Sequence, residues 1–241
     1  MDNIVQPIAL ITSPFTDKFS IPRQPGLAPS VISTVSFVGD FDHAASIEGI
    51  QQYSHLWLIF EFNQHRSHQW RERVRPPRLG GNKQLGVFAT RSPFRPNNLG
   101  MSVVKLVDVV VKPQVKLVVS GADLLDQTPI VDIKPYVPYV DAIPEASSAF
   151  AGDEPNQLEV CFSATAEAFI DKLTSNAAKS EHYQNLRQVI IEVLRQDPRP
   201  AYHASKQPER HYVSQLYDLE LNWYVTGQCL TITEIRQQKD F

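Results

Sequence analysis

The chain has 241 residues, 42% of them hydrophobic, enough to bury a substantial core in one large domain or in one domain with a smaller appendage. Its net charge of −3 excludes a generally basic nucleic-acid binder, and its two cysteines, Cys161 and Cys229, lie far apart without zinc-ligand spacing and exclude a disulfide-rich scaffold. No segment approaches the roughly 18 apolar residues of a membrane span and residues 1–30 hold no signal-peptide core, so the expectation is a soluble protein in a reduced, cytoplasmic setting.

Eighteen prolines against ten glycines, set between short β-branched and aromatic runs, predict many short strands. The first are expected near residues 5–12, 31–38 and 55–62. His55, in the strand-like context Ser54-His55-Leu56-Trp57, suits a hydrogen-bonded core position better than a catalytic one. Between positions 66 and 95 eight cations, Arg75 and Arg78 among them, face one anion, Glu72, a local charge of +7. Such a run is either a solvated surface or a platform for a polyanion; Trp70, Pro76-Pro77 and Gly80-Gly81 favour a fixed platform, and RNA fits it.

A strand is expected over residues 85–90, followed by Arg91-Ser92-Pro93-Phe94-Arg95-Pro96-Asn97-Asn98-Leu99-Gly100. Each proline fixes its own φ and drives its predecessor out of the helical region, so this is a structured loop, and Asn97-Asn98 and Gly100 tolerate the left-handed turns that return the chain. Residues 102–111 and 114–120 then form a hairpin through Lys112-Pro113-Gln114, and 130–133 a further strand. A compact set of such strands closes as a barrel or a sandwich; periodicity does not choose between them.

Pro135 to Pro155 is an irregular connection and sets a boundary, giving units 1–140 and 141–241. Beyond it the sequence predicts a helix over 164–179 and another over 181–195, the latter from the spacing of Leu186, Val189, Ile190, Val193 and Leu194. Asp197-Pro198 stops that helix. Residues 212–221 and 223–235 alternate as a terminal hairpin with Asn222 near its turn. The fold class is therefore mainly β with a smaller C-terminal α+β domain.

There is no GxGxxG, GK[ST], HExxH or GxSxG motif, which removes doubly wound nucleotide folds and the common hydrolases. The proline loop, together with Pro22-Arg23-Gln24-Pro25-Gly26, Tyr53-Ser54-His55-Leu56-Trp57, Val74-Arg75-Pro76-Pro77-Arg78-Leu79-Gly80-Gly81-Asn82 and Asp126-Gln127-Thr128-Pro129-Ile130-Val131-Asp132-Ile133-Lys134-Pro135-Tyr136, resembles the TsaA-like (TrmO) family of tRNA methyltransferases. The matches run in order across residues 1 to 140, and Asp197-Pro198-Arg199-Pro200-Ala201-Tyr202 extends them into the tail.

That resemblance implies a small single β-barrel, S-adenosylmethionine as methyl donor without a metal, and as acceptor the N6 nitrogen of threonylcarbamoyladenosine at position 37 of tRNA. It implies a homodimer as well. Carried over by position, Pro22, Arg23, Gln24, Asn63, Gln64, Arg91, Leu99, Met101, Asp126, Thr128 and Pro129 border the donor. Arg75, Arg78, Arg95 and Asn97 meet the loop or the RNA, and Asp132, Lys134 and Tyr136 are the catalytic candidates. Arg91 is the strongest single choice, because a guanidinium fork suits a carboxylate. The tail cations Arg187, Arg195, Arg199 and Lys206 are candidates to assist docking of the anticodon arm.

The residues alone leave a plainer alternative for one segment, in which Asp126 caps a turn and Lys134 is merely exposed. Three positions depart from the family's pattern: Asn63 for His, Asn98 for Pro and Gln127 for Gly. Asn63 does not titrate near neutral pH, and Gln127 implies either a turn without positive φ or local strain. The competing functions are a non-catalytic RNA-binding barrel and a methyltransferase with a small-molecule or protein acceptor.

Overall fold

Alternating apolar residues in the first half of the chain form six strands that close on themselves. They are β1 (Ala9–Thr12), β2 (Ile32–Phe37), β3 (His55–Glu61), β6 (Leu99–Val110), β7 (Lys116–Ser120) and β8 (Pro129–Pro135), in the closed order β1-β2-β7-β6-β3-β8 with every pair antiparallel. This computed structural model describes residues 5–65, 69–76, 83–148, 151–152, 157–175, 182–199 and 210–238. Period-two alternation sends Leu56, Leu58 and Phe60 of β3, Leu117 and Val119 of β7 and Ile130 of β8 into one sealed interior. Each such side chain contributes about 2 kcal/mol through burial. Full closure leaves no barrel edge to aggregate, and it settles the choice between barrel and sandwich.

Gly100 marks a close approach within this barrel. A Cβ there would lie 2.4 Å from two ring atoms of Phe60, so only glycine lets β6 cross the ring at the mouth of the proline loop.

The second half builds a four-stranded sheet in the order β10-β11-β12-β9, from β9 (Glu159–Phe162), β10 (His211–Leu216), β11 (Leu219–Thr226) and β12 (Cys229–Gln237). After the short helix α1 (Pro138–Asp141), helices α2 (Ala164–Thr174) and α3 (Leu186–Leu194) supply the apolar cover. Ser163 caps α2 by accepting the Ala166 N–H at 3.1 Å. The second core also takes in Phe15, Ala28 and Val31 from the N-terminal segment. Glu192 of α3, only 6% exposed, accepts the Ser30 N–H at 2.8 Å, the Ser30 hydroxyl at 2.9 Å and the Gln188 amide at 3.0 Å, which ties that segment down.

Four expectations change. Of residues 85–90 only β5 (Leu85–Gly86) is strand, paired with β4 (Arg73–Val74); Val87–Ala89 is a 3-10 turn closed by the Thr90 hydroxyl on the Val87 carbonyl at 2.8 Å. His55 is not a core residue. Leu56 occupies the interior, so its neighbour His55 lies half-buried on the outer face, with Ser54 Oγ 2.9 Å from its Nδ1. The expected terminal hairpin is a three-stranded meander: Asn222 sits mid-strand in β11, and the turns fall at Tyr217-Asp218, where Tyr217 has φ 58°, and at Gly227 with φ 60°. Helix α3 begins at Leu186 rather than 181, because Asn185 adopts a left-handed φ of 56°.

Candidate active site

Two of the predicted donor segments meet through side chains. The Arg91 guanidinium in the proline loop donates from Nη1 to the Gln24 amide oxygen, joining positions 67 residues apart. Beneath them the Ser102 hydroxyl, buried on the inner face of β6, donates to Asp123 Oδ1 at 2.6 Å. Burial pushes the Asp123 carboxyl up to about 6, against the opposing pull of the Ser102 hydrogen bond and the Arg91 charge. A carboxyl raised well above the usual carboxylate range therefore stands within the field of the guanidinium.

The loop is stiffened from within. Arg95 donates from Nη1 to the carbonyls of Thr90 at 2.8 Å and Val87 at 3.3 Å, and its guanidinium lies 5.6 Å from the centroid of Phe88. Arg71 stacks on Phe94 at 4.3 Å and donates its N–H to the Phe94 carbonyl, so the basic segment packs on the proline loop. The Phe62 N–H donates to Asn98 O at 2.8 Å, which places Asn63 and Gln64 beside Asn97-Asn98, and Asn98 takes a left-handed φ of 51°. Arg75 is exposed alongside, and Arg78 lies outside the described residues.

Leu99 and Met101 project outward from β6, where Met101 pairs with Ile59 of β3 and Ile59 pairs with Asp132 of β8. Two strand spacings, about 10 Å, separate Met101 from Asp132 across one open face. Lys134 Nζ lies 3.3 Å from Asp132 Oδ2 on that face, with both side chains about half exposed. Tyr136 follows, its ring 5.8 Å from Trp57 and 6.3 Å from His55. Trp57 in turn donates to Asp141 Oδ2 at 3.0 Å, and this hydrogen bond, after that of the Val137 N–H, holds Asp141 below the usual carboxylate range.

Three other candidates are engaged in structure. Asp126 Oδ1 accepts the Ser13 N–H at 2.9 Å, and the Thr128 hydroxyl donates to Leu125 O at 2.7 Å, so this pair closes the turn that leads into Pro129 and β8. Gln127 in that turn has φ 59°, the strained outcome of the two foreseen for a non-glycine there. Arg23 turns to the other unit and donates from Nη2 to Asp197 O at 3.0 Å, while Pro22 is buried behind it. Asp123 itself escaped the sequence reading. A lone acid between Ala122 and Leu124 carries no motif, and its importance arises from desolvation in the folded barrel and from its contact with Ser102, 21 residues away.

The family model of the tRNA-methyltransferase O N-terminal domain matches residues 10–142, and that of the TrmO C-terminal domain matches residues 155–238. The chain belongs to the TrmO family. It is 44% identical over 220 residues to the tRNA (adenine(37)-N6)-methyltransferase of Escherichia coli, covering 91% of this chain and 92% of that protein. It is also 44% identical over 169 residues to the enzyme of the same name from Eikenella corrodens, covering 70% and 89% of the two chains. Among solved structures, TrmO from Pseudomonas aeruginosa superimposes with a TM-score of 0.77 at 37% identity, over 98% of this chain and 99% of that one. The TrmO likeness thus spans both units, and the Arg91–Gln24 contact lies inside the N-terminal match.

Proposed function

We propose that this chain transfers a methyl group from S-adenosylmethionine to N6 of threonylcarbamoyladenosine at position 37 of tRNA. The observation that carries this reading is the likeness to tRNA (adenine(37)-N6)-methyltransferase over nine-tenths of the chain, with Arg91, Gln24 and Asp123 gathered within it. The residues present fit the donor. Its amino-acid end is a zwitterion, and Arg91 beside an ionisable Asp123 offers the complementary pair of charges. Leu99 and Met101 give an apolar flank for its adenine.

When bound, S-adenosylmethionine supplies a methyl carbon already activated by its sulfonium leaving group. The chain's own work is then to orient, to exclude water and to take one proton. Arg91 and Gln24 fix the donor end, and Arg95 holds the loop that carries Arg91. Asp132 accepts the N6 proton, since its carboxylate faces the same open surface as Met101, and Lys134 at 3.3 Å fixes that carboxylate's position. Tyr136, supported by Trp57, presents an aromatic face to the acceptor. Arg75 and the rest of the basic segment meet RNA phosphates, with Phe88 at 70% and Trp70 at 49% exposure available to stack on unpaired bases.

The division into a catalytic unit 1–140 and a docking unit 141–241 belongs to the same proposal. Of the tail cations, Arg187 is held by Glu167 at 3.0 Å and Arg199 by Asp197 at 2.7 Å, so docking falls to Arg195 and to Lys206, which lies outside the described residues. A homodimer would deepen the shallow outer face on which Met101 is 56% exposed, the second subunit completing the pocket there. A tRNA substrate accords with a cytoplasmic setting, and among the described residues no helix is long and apolar enough to cross a membrane.

The deciding experiment incubates the protein with methyl-labelled S-adenosylmethionine and tRNA with or without the threonylcarbamoyl group, followed by nucleoside mass spectrometry. Label in methylated threonylcarbamoyladenosine is the expected result. Donor binding without transfer to either tRNA, or equal transfer to both, overturns the assignment.

A further inference from the structure

Cys161 and Cys229 are 68 residues apart in sequence and are the chain's only two cysteines. Parallel pairing of the edge strand β9 with β12 brings their sulfurs to 2.9 Å. Leu230 and Ile232 of β12 are buried in the core and Val160 and Phe162 of β9 pack against it, so alternation turns both cysteines to the opposite, half-exposed face of the sheet. A disulfide sulfur lies about 2.05 Å from its partner, less than an ångström closer than these. Sulfurs that share one tetrahedral zinc, each about 2.3 Å from the metal, stand farther apart than these do.

We propose that Cys161 and Cys229 are a reversible oxidation site, forming an intrachain disulfide with hydrogen peroxide that fastens the edge strand β9 to β12. In the first step one sulfur attacks the peroxide, the O–O bond breaks, and a sulfenic acid and one water form. In the second, the other thiol's sulfur displaces the sulfenic oxygen, the S–S bond forms and a second water leaves. Two electrons pass from the sulfurs to the peroxide, and both thiol protons end in water. The contact with Cys229, then burial, pushes the Cys161 thiol up to about 11. A dithiol reductant reverses the reaction by exchange.

The bond closes a loop containing α2, α3, β10 and β11, so it restricts the unfolded chain and raises the thermal midpoint by on the order of 5 °C. The test treats the full-length protein with hydrogen peroxide, maps a non-reduced digest by mass spectrometry and records thermal melts before and after a dithiol reductant. The expected result is one cross-linked peptide pair lacking two hydrogens, with a raised midpoint that reduction restores and that Cys161→Ser and Cys229→Ser both lack. Four outcomes overturn the proposal: two thiols still open to alkylation after peroxide, separate oxidation of each sulfur, a disulfide between chains, or one zinc ion per purified chain released by thiol modification. The peptide map of the natural chain decides the matter even where a serine variant fails to fold.

Discussion

In the C-terminal sheet, polar side chains are consumed in holding the fold. Asp218 accepts from the Tyr183 hydroxyl at 2.5 Å and the Gln237 amide at 2.6 Å; burial opposes it, yet these hydrogen bonds hold it below the usual carboxylate range. Arg187 and Arg199 are each committed to a neighbouring acid. At the proline loop of the barrel the pattern differs: Arg91 meets a neutral amide and Asp123 is answered by a hydroxyl. The comparison teaches that charge alone does not mark a site. A charge whose partners are weaker than itself does, because it retains capacity to bind.

The largest test of this contrast is Glu192→Ala. Removing a carboxylate that satisfies the Ser30 N–H, the Ser30 hydroxyl and the Gln188 amide should cost about 4 kcal/mol in urea unfolding. A loss under about 1 kcal/mol breaks the claim that polar groups here are structural.

Next is Asp123. Its carboxyl stands at about 6 in the folded protein against 3.8 when unperturbed, so folding binds this proton more tightly. The resulting stabilisation is complete below about pH 4 and lost as pH rises through 6, amounting to about 3 kcal/mol. Asp123→Asn should therefore gain stability relative to the natural chain between pH 4 and 7.5. Parallel stability–pH curves for the two proteins contradict the assignment.

The smallest stability effect is expected at Lys134. Because its ion pair is largely solvated, Lys134→Ala should change stability by under about 1 kcal/mol. Single-turnover methyl transfer should nonetheless slow about tenfold or more, since Asp132 loses its positioning partner. An unchanged rate removes the pair from the mechanism.

Much of this was legible in the sequence because it depends on local rules. Prolines at 93 and 96 dictate the loop, and alternation at Leu56, Leu58 and Phe60 dictates an inward face. What escaped depends on partners distant in the chain. The run 85–90 has strand propensity, but Arg95 draws the carbonyls of Val87 and Thr90 into a turn. Asn222 has the composition of a turn, yet Leu221, Trp223 and Val225 are all buried and carry the strand through it. Asp123, three residues before Asp126, carries no signal in the sequence, because desolvation inside the folded barrel is what raises its carboxyl.

The central claim is that the proline loop holds a zwitterionic methyl donor through Arg91. Calorimetric titration of S-adenosylmethionine into the natural chain and into Arg91→Ala tests it most directly. Saturable binding that weakens about 30-fold in the variant, some 2 kcal/mol, with the thermal midpoint unchanged, is the predicted result. Equal affinity in the two proteins, or no binding by the natural chain, contradicts it.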